Sequence, residues 1–219
     1  LSHCSRGPPS GIQPVYGLHG TDDLPERTLD HLSGYRDSSP VRIGNAAHEQ
    51  RQLDVYGELI VGVHEATRYG ASITDRAWAT IRDIVDYVCD AWDQPDVGIW
   101  EIRADPQHFV YSKVMCWAAI DRGLRITEET DYEGPVDRWR EAREEIRETV
   151  LDRGYSEELD SFVRSFEGDG RLDAAALRIP AVGFLPADDR RVQGTIDAVR
   201  DRLMTDRGLV DRLEGDDGL

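Results

Sequence analysis

Phe109-Val110-Tyr111-Ser112-Lys113-Val114-Met115-Cys116-Trp117-Ala118-Ala119-Ile120-Asp121-Arg122-Gly123-Leu124 is the stretch on which the fold turns. Its residues Phe109, Val114, Met115, Trp117, Ala118, Ile120 and Leu124 recur at helical spacing and cover much of a helix circumference. The pattern predicts a helix from about Pro106, a good first-turn residue, to about Ile126. Lys113 is the single lysine of the chain, and on so apolar a helix it either snorkels to the surface or reaches into a site.

Working outward, a loop from Asp96 to Asp105 separates this helix from two amphipathic helices. In the first, Gln50, Leu53, Val55, Tyr56, Leu59, Ile60 and Val63 recur at three and four, from about Ala46 to about Tyr69, and Gly70 closes it. Thr74 caps the second, whose apolar positions run from Ala77 to about Trp92 before Gln94-Pro95 ends it. On the other side, Val136, Trp139, Ala142, Ile146 and Val150 make a narrower stripe between Pro135 and Gly154. Its Arg and Glu residues mark a solvated outer face. Leu172 to Leu185 reads as a short buried helix, and Asp188 caps another that runs to about Asp206. Leu1 to Asn45 is rich in Gly, Pro, Ser and Asp and reads as loop with short ordered pieces. Only Ser161 to Phe166 and Gly208 to Leu213 alternate as strands do. The fold class is therefore mainly α, paired helices in a toroid or bundle rather than a βαβ sheet.

Composition narrows the function. The 219 residues carry 43 acidic against 26 basic side chains, a formal charge of -17, and the acidic groups are scattered along the whole chain. Such a field repels phosphate backbones and anionic headgroups, so neither nucleic acid nor a membrane surface is an expected partner. A self-repelling acidic shell suits a protein that works in high salt, where repulsion is screened; an ordinary acidic protein of the cytosol remains the other reading. Cys4, Cys89 and Cys116 form no C-x-x-C pair, which argues against a disulfide framework or a zinc site and for a reducing compartment. No apolar run is long enough to cross a bilayer and the start lacks signal-peptide features, so the expected location is cytoplasmic. The His residues show no metalloprotease spacing, and there is no Walker or dinucleotide loop; no cofactor and no metal are expected. Ser112 and Ser156 lack the setting of a serine nucleophile.

Local chemistry singles out a few side chains. Trp100-Glu101 lies in the loop between helices, with Gly98 before it and Arg103 after it. An aromatic face beside a carboxyl excludes water and favours its protonated form, which suits a general acid near neutral pH. Trp-Glu pairs also occur on ordinary loops, so the pair alone decides nothing. Gln52 and Asp54 sit near the start of the first helix, where they either point into a shared cleft and hold sugar hydroxyls or form a solvated, dipole-favoured first turn.

The segments Pro40-Val41-Arg42-Ile43-Gly44-Asn45, Gln52-Leu53-Asp54-Val55-Tyr56-Gly57-Glu58, Gly98-Ile99-Trp100-Glu101-Ile102-Arg103 and His108-Phe109 through Ser112-Lys113-Val114-Met115 occur in this order. Together with Gly183-Phe184-Leu185-Pro186 and Asp217-Gly218-Leu219, they resemble glycoside hydrolase family 15, the family of microbial glucoamylases with relatives that split trehalose or dextran-type glucosides. The resemblance covers roughly residues 16–219 and leaves 1–15 unmatched. It implies part of an (α/α)6 toroid with the active site in a central funnel. It also implies an exo-acting, inverting α-glucosidase of glucoamylase type acting on maltooligosaccharide, starch or trehalose, with trehalase or glucodextranase as the alternative. Inversion uses an acid and a base carboxylate about 6.5–9.5 Å apart. Glu101 matches the acid; Trp100, Arg103, Gln52, Asp54 and Lys113 match substrate-contacting or substrate-organising positions.

The same resemblance implies features that are not found here. The Gly-Glu-Gly type segment that carries the base follows the motif at which this chain ends, and the Trp-x-Arg-Asp type clamp and amino-terminal β domain precede its start. The expectation is a catalytic domain truncated at both ends, from a partial gene or a broken reading frame, with little or no activity alone. A non-catalytic glucan-binding remnant is the rival. An incomplete toroid is expected to expose apolar faces such as Phe109 to Leu124, inviting a complementary chain or self-association.

Overall fold

The computed structural model describes residues 7–101, 105–168 and 170–215. Its long elements are helices: α1 (Asp54–Arg68), α2 (Asp75–Ala91), α3 (Val110–Glu129), α4 (Val136–Arg153) and α5 (Arg190–Leu203). Among the described residues, strands are confined to two short antiparallel pairs, β1 (Arg27–Thr28) with β2 (Arg42–Ile43), and β3 (Tyr155–Ser156) with β4 (Ser161–Phe162).

α3 is the axis of the core. From Val110 to Leu124 every residue on it is buried, because α1, α2 and α4 all pack against it. The exposed apolar face expected from Phe109 to Leu124 is therefore not present: Phe109 is 7% exposed and Leu124 1%. A helix that is apolar all round is stable only when wrapped in this way. The closest approach is at Gly57 of α1, where an added Cβ would lie 2.3 Å from the Met115 carbonyl oxygen. Any side chain there would force the two helices apart.

α4 closes the outer side through Trp139. Its indole is fully buried, meets Trp78 edge-on at 6.1 Å between centroids, and donates from Nε1 to Asp86 Oδ1 of α2 at 2.8 Å. Tyr132 stacks on Trp78 at 5.3 Å between centroids. Charge buried inside α3 is matched on the spot: Asp121 accepts from Arg125 Nε at 2.8 Å and from Arg143 Nη1 at 3.0 Å, while Arg122 reaches the Val182 carbonyl. A buried carboxylate survives only with such partners. Beyond α4, the β3–β4 pair, a 3-10 turn at Ala174–Arg178 and α5 form a flank with a small core of Leu172, Val199 and Leu203.

Several boundaries differ from the sequence expectation. Thr74 does cap α2, accepting from Ala77 N, and α4 fills the interval between Pro135 and Gly154. The first helix does not start at Ala46. Asn45 caps a separate 3-10 turn, Ala46–Glu49, and α1 begins only at Asp54. α3 starts at Val110 and not Pro106, because Gln107 and Phe109 are held extended by bridges to Asp96 and Ser165. Leu172 to Leu185 is a 3-10 turn followed by turns, not an α-helix, and α5 is capped by Asp189 instead of Asp188. The alternating stretch Gly208 to Leu213 makes isolated bridges only. No described helix is long and apolar enough to cross a membrane.

Candidate active site

The loop that carries Trp100 and Glu101 is pinched at its base. Asp96 and Gln107 exchange both backbone hydrogen bonds, at 2.9 and 2.8 Å, and Val97 N donates to the Arg51 carbonyl at 3.1 Å. Below this neck the Asp96 side chain turns inward, where Oδ2 accepts from Leu53 N at 2.9 Å and from Ser112 Oγ at 2.8 Å. One buried carboxyl thus ties together the approach to α1, the exit from α2 and the first turn of α3. Burial holds that carboxyl above the ordinary range, against the bond from Leu53 and the charge of Lys113, which pull it down. Lys113 donates from Nζ to the Gln94 carbonyl, and burial depresses its ammonium.

Above the neck the chain turns sharply. Gly98 has φ of 70°, and a Cβ there would meet the Phe109 ring at 3.0 Å, so only glycine fits. Trp100 is half-buried against the core. Glu101 has φ of 55°, a left-handed backbone that residues other than glycine rarely adopt. Strained non-glycine residues of this kind concentrate where side-chain placement serves chemistry.

Trp100 and Glu101 open onto a cleft of about 460 Å³ shared with Arg42, Asn45, Gln50 and Arg212. Asn45 Oδ1 accepts from Ala47 N at 2.9 Å, which orients the amide so that Nδ2 faces Glu101 Oε2 at 3.4 Å. Arg42 is ion-paired with Glu26 at 3.2 Å. The Arg212 guanidinium lies 5.8 Å from the centre of the Trp100 ring, and Trp100 Nε1 donates to Asp173 Oδ1 at 2.8 Å. Clefts of similar size lie beside Arg202 and Glu214 and between Thr28 and Val41, but neither joins a carboxyl to an aromatic wall.

The residues singled out from sequence divide sharply. Glu101 and Trp100 line the cleft together. Glu101 is exposed, so the exclusion of water expected from its neighbouring indole is not provided by the described residues. Gln52 is buried, its Nε2 3.3 Å from Gln50 Oε1, and it is Gln50 that reaches the cleft. Asp54 is buried as the first residue of α1, not solvated. Its carboxyl is pushed up to about 7, chiefly by burial and then by the Asp96 charge. Lys113 is wholly buried and does not line the cleft. Arg103 lies outside the described residues, as do Asp217, Gly218 and Leu219. Sequence reasoning missed Asn45 as a partner of Glu101, although it stands in one of the quoted motifs. It also missed Asp173, which lies 73 residues from the tryptophan it binds and had no local signal. No group of His, Cys, Asp and Glu among the described residues is placed to hold a metal ion.

Residues 2–216 match the family described as Glycosyl hydrolases family 15. The chain belongs to that family. The family match begins ahead of residue 16, where the sequence resemblance begins. Among curated relatives, a protein named trehalase from Mycolicibacterium smegmatis is 40% identical over 222 residues, covering 100% of this chain and 33% of the relative. A protein of the same name from Thermoplasma volcanium is 37% identical over 208 residues, covering 95% of this chain and 33% of the relative. The chain thus spans about a third of the length of these relatives. A solved glycosidase in complex with glucose superposes with a TM-score of 0.69 at 23% identity, over 82% of this chain and 49% of that one. The wild-type glycosidase gives 0.67 at 24% identity, with the same coverage. At that identity the likeness speaks for the fold alone, and with the family it makes the described helices part of an (α/α)6 toroid, as the sequence resemblance implied.

Proposed function

We propose that this chain is the acid-bearing part of an inverting glycoside hydrolase of α,α-trehalase type, with Glu101 as the proton donor. The observation that carries the reading is the placement of Glu101 beside Trp100 on the open cleft, in a chain 37 to 40% identical to the two relatives named trehalase. Those names favour trehalose over the maltooligosaccharides and starch that a glucoamylase reading put first.

The chemistry follows from the placement. A pyranose ring lies with its C–H face on the Trp100 indole, which brings the glycosidic oxygen over the neighbouring carboxyl. Asn45 Nδ2 donates to Oε2 of Glu101, leaving Oε1 to carry the proton that passes to the departing oxygen. Arg42 and Gln50 supply polar groups for sugar hydroxyls at the rim. Inversion also needs a carboxylate to activate water on the opposite face of the ring. No described residue is assigned that task.

The test is glucose release from trehalose, maltose and soluble starch by the protein expressed from its complete reading frame. Proton NMR follows the anomers first formed. The expected result is preference for trehalose, equal amounts of α- and β-glucose at early times, and a loss of about 10²–10⁴ in kcat for Glu101→Gln. Faster turnover of maltose or starch would return the glucoamylase reading. Full activity of Glu101→Gln would remove Glu101 from the mechanism.

A further inference from the structure

Trp100 is held from two sides by residues that arrive from far along the chain. Asp173 is 6% exposed. Its Oδ1 accepts two N–H groups, Ala175 N at 2.8 Å and Trp100 Nε1 at 2.8 Å. The first bond is an N-cap for the 3-10 turn Ala174–Arg178. A cap needs only a short oxygen-bearing side chain, and serine serves nearly as well as aspartate. The second bond reaches sideways to the edge of an indole on another loop.

The backbone around Asp173 is itself fixed. Asp173 pairs with Leu213 in an isolated bridge, and Ala174 N donates to the Arg212 carbonyl at 2.9 Å. The same crossing that anchors Asp173 therefore also brings Arg212 over the face of the Trp100 ring. An indole on a loop can turn about its side-chain bonds, since its terminal torsion is broad and roughly two-fold. A hydrogen bond from Nε1 to an immobile acceptor selects one ring plane and one of the two flips.

We infer that Asp173 is the positioning residue for Trp100: it fixes the plane of the indole that walls the cleft beside Glu101, and so sets where a sugar ring rests relative to the acid. The inference rests on the reading of Trp100 as a sugar wall, but its first test does not depend on any sugar.

That test follows the indole N–H of Trp100 by proton–nitrogen NMR in the protein labelled at tryptophan, with the resonance among the 5 tryptophans identified by its loss in Trp100→Phe. Asp173→Ser keeps an oxygen for the cap but is too short to reach the indole, whereas Asp173→Asn keeps an acceptor at the same reach. In Asp173→Ser the Trp100 N–H resonance is expected to move toward that of a free indole and its solvent exchange to rise about tenfold. Asp173→Asn should stay near wild type, and all three proteins should melt within a few degrees of one another. An unchanged resonance and exchange rate in Asp173→Ser would overturn the assignment. If that variant does not fold, the wild-type protein decides alone, because an unprotected Trp100 N–H in it is incompatible with the bond.

A second measurement joins this bond to catalysis. In trehalose hydrolysis, Asp173→Ser is expected to lower kcat/KM about tenfold in the wild-type background and little further in Trp100→Phe, which lacks the donor. Equal losses in both backgrounds would mean that Asp173 acts on the fold and not through the indole. Inactivity on trehalose of the wild-type protein expressed from its complete reading frame would sink the trehalase reading and leave the N–H result standing by itself.

Discussion

Glu101 and Asp54 are carboxyls on neighbouring segments of the same site region, and they live under opposite rules. Glu101 stands exposed on a loop, in a left-handed backbone, with one long bond from Asn45. Asp54 is 4% exposed at the head of α1, its Oδ1 has no hydrogen-bond partner, and the charges of Asp96, Glu58 and Asp173 all press on it. The front carboxyl is constrained in its backbone and free in its side chain, which is what a proton donor to an incoming oxygen needs. The rear carboxyls are the reverse. Asp96 spends its contacts on holding the loop at its neck, and Asp54 is kept out of water. Motif resemblance marks both layers equally, because a residue that supports a site is as tightly specified as one that uses it.

The largest effect on stability is expected from the neck. Asp96→Ala removes the acceptor for Leu53 N and Ser112 Oγ and leaves both donors buried without a partner. Each buried donor left unsatisfied costs about 1–3 kcal/mol. Urea unfolding monitored by tryptophan fluorescence measures it. A loss below about 1 kcal/mol would show that the loop is held by its backbone bridges alone, and the division between front and rear would lose its mechanical basis.

What could be read from the sequence follows the same division. α2 and α4 were legible almost to the residue, because local signals fix them: Thr74 caps one, and a Trp139 stripe runs through the other. The start of α3 was not, since residues 106–109 are pulled straight by pairing with Asp96 and Ser165, which lie elsewhere in the chain. Trp100 and Glu101 were legible as a motif. That Gln52, Asp54 and Lys113 sit behind the cleft was not, because spacing tells which residues share a region and not which way they face. The family was legible from ordered motifs spread along the chain. The preferred glucoside was not: selectivity depends on polar contacts to the leaving sugar, and none of the quoted motifs identifies those.

Asp54 offers a sharper probe of the rear layer. Its carboxyl is pushed up from the ordinary 3.8 to about 7, so the folded protein keeps a proton that the unfolded chain has already released across that interval. Its penalty is absent below about pH 4, grows as pH rises toward 7, and is constant above. Asp54→Asn removes the titration. The variant is expected to gain on wild type with rising pH over this window, by about 1–3 kcal/mol at pH 8 relative to pH 4. Thermal melts at matched ionic strength are the measurement. Parallel pH profiles for the two proteins would mean that Asp54 is hydrated and ionised in the folded state, placing it with the front layer.

The smallest effect belongs to Glu101 itself. Its backbone φ of 55° is costly for any residue with a Cβ and costs glycine nothing. Glu101→Gly gives up the Asn45 contact at 3.4 Å, a distance at which little net energy is at stake on an exposed loop. Relief of strain is partly offset by the extra freedom glycine has in the unfolded chain. The net expectation is a gain of about 0.5 kcal/mol in stability, alongside loss of hydrolysis. Glu101→Ala, which keeps the Cβ, is the control and should show no such gain. A stabilised but inactive Glu101→Gly next to an unstabilised Glu101→Ala would show that the fold bears a local cost to aim this one carboxyl. Equal stabilities would mean that the left-handed turn is set by Gly98 and the neck, with Glu101 carried along by them.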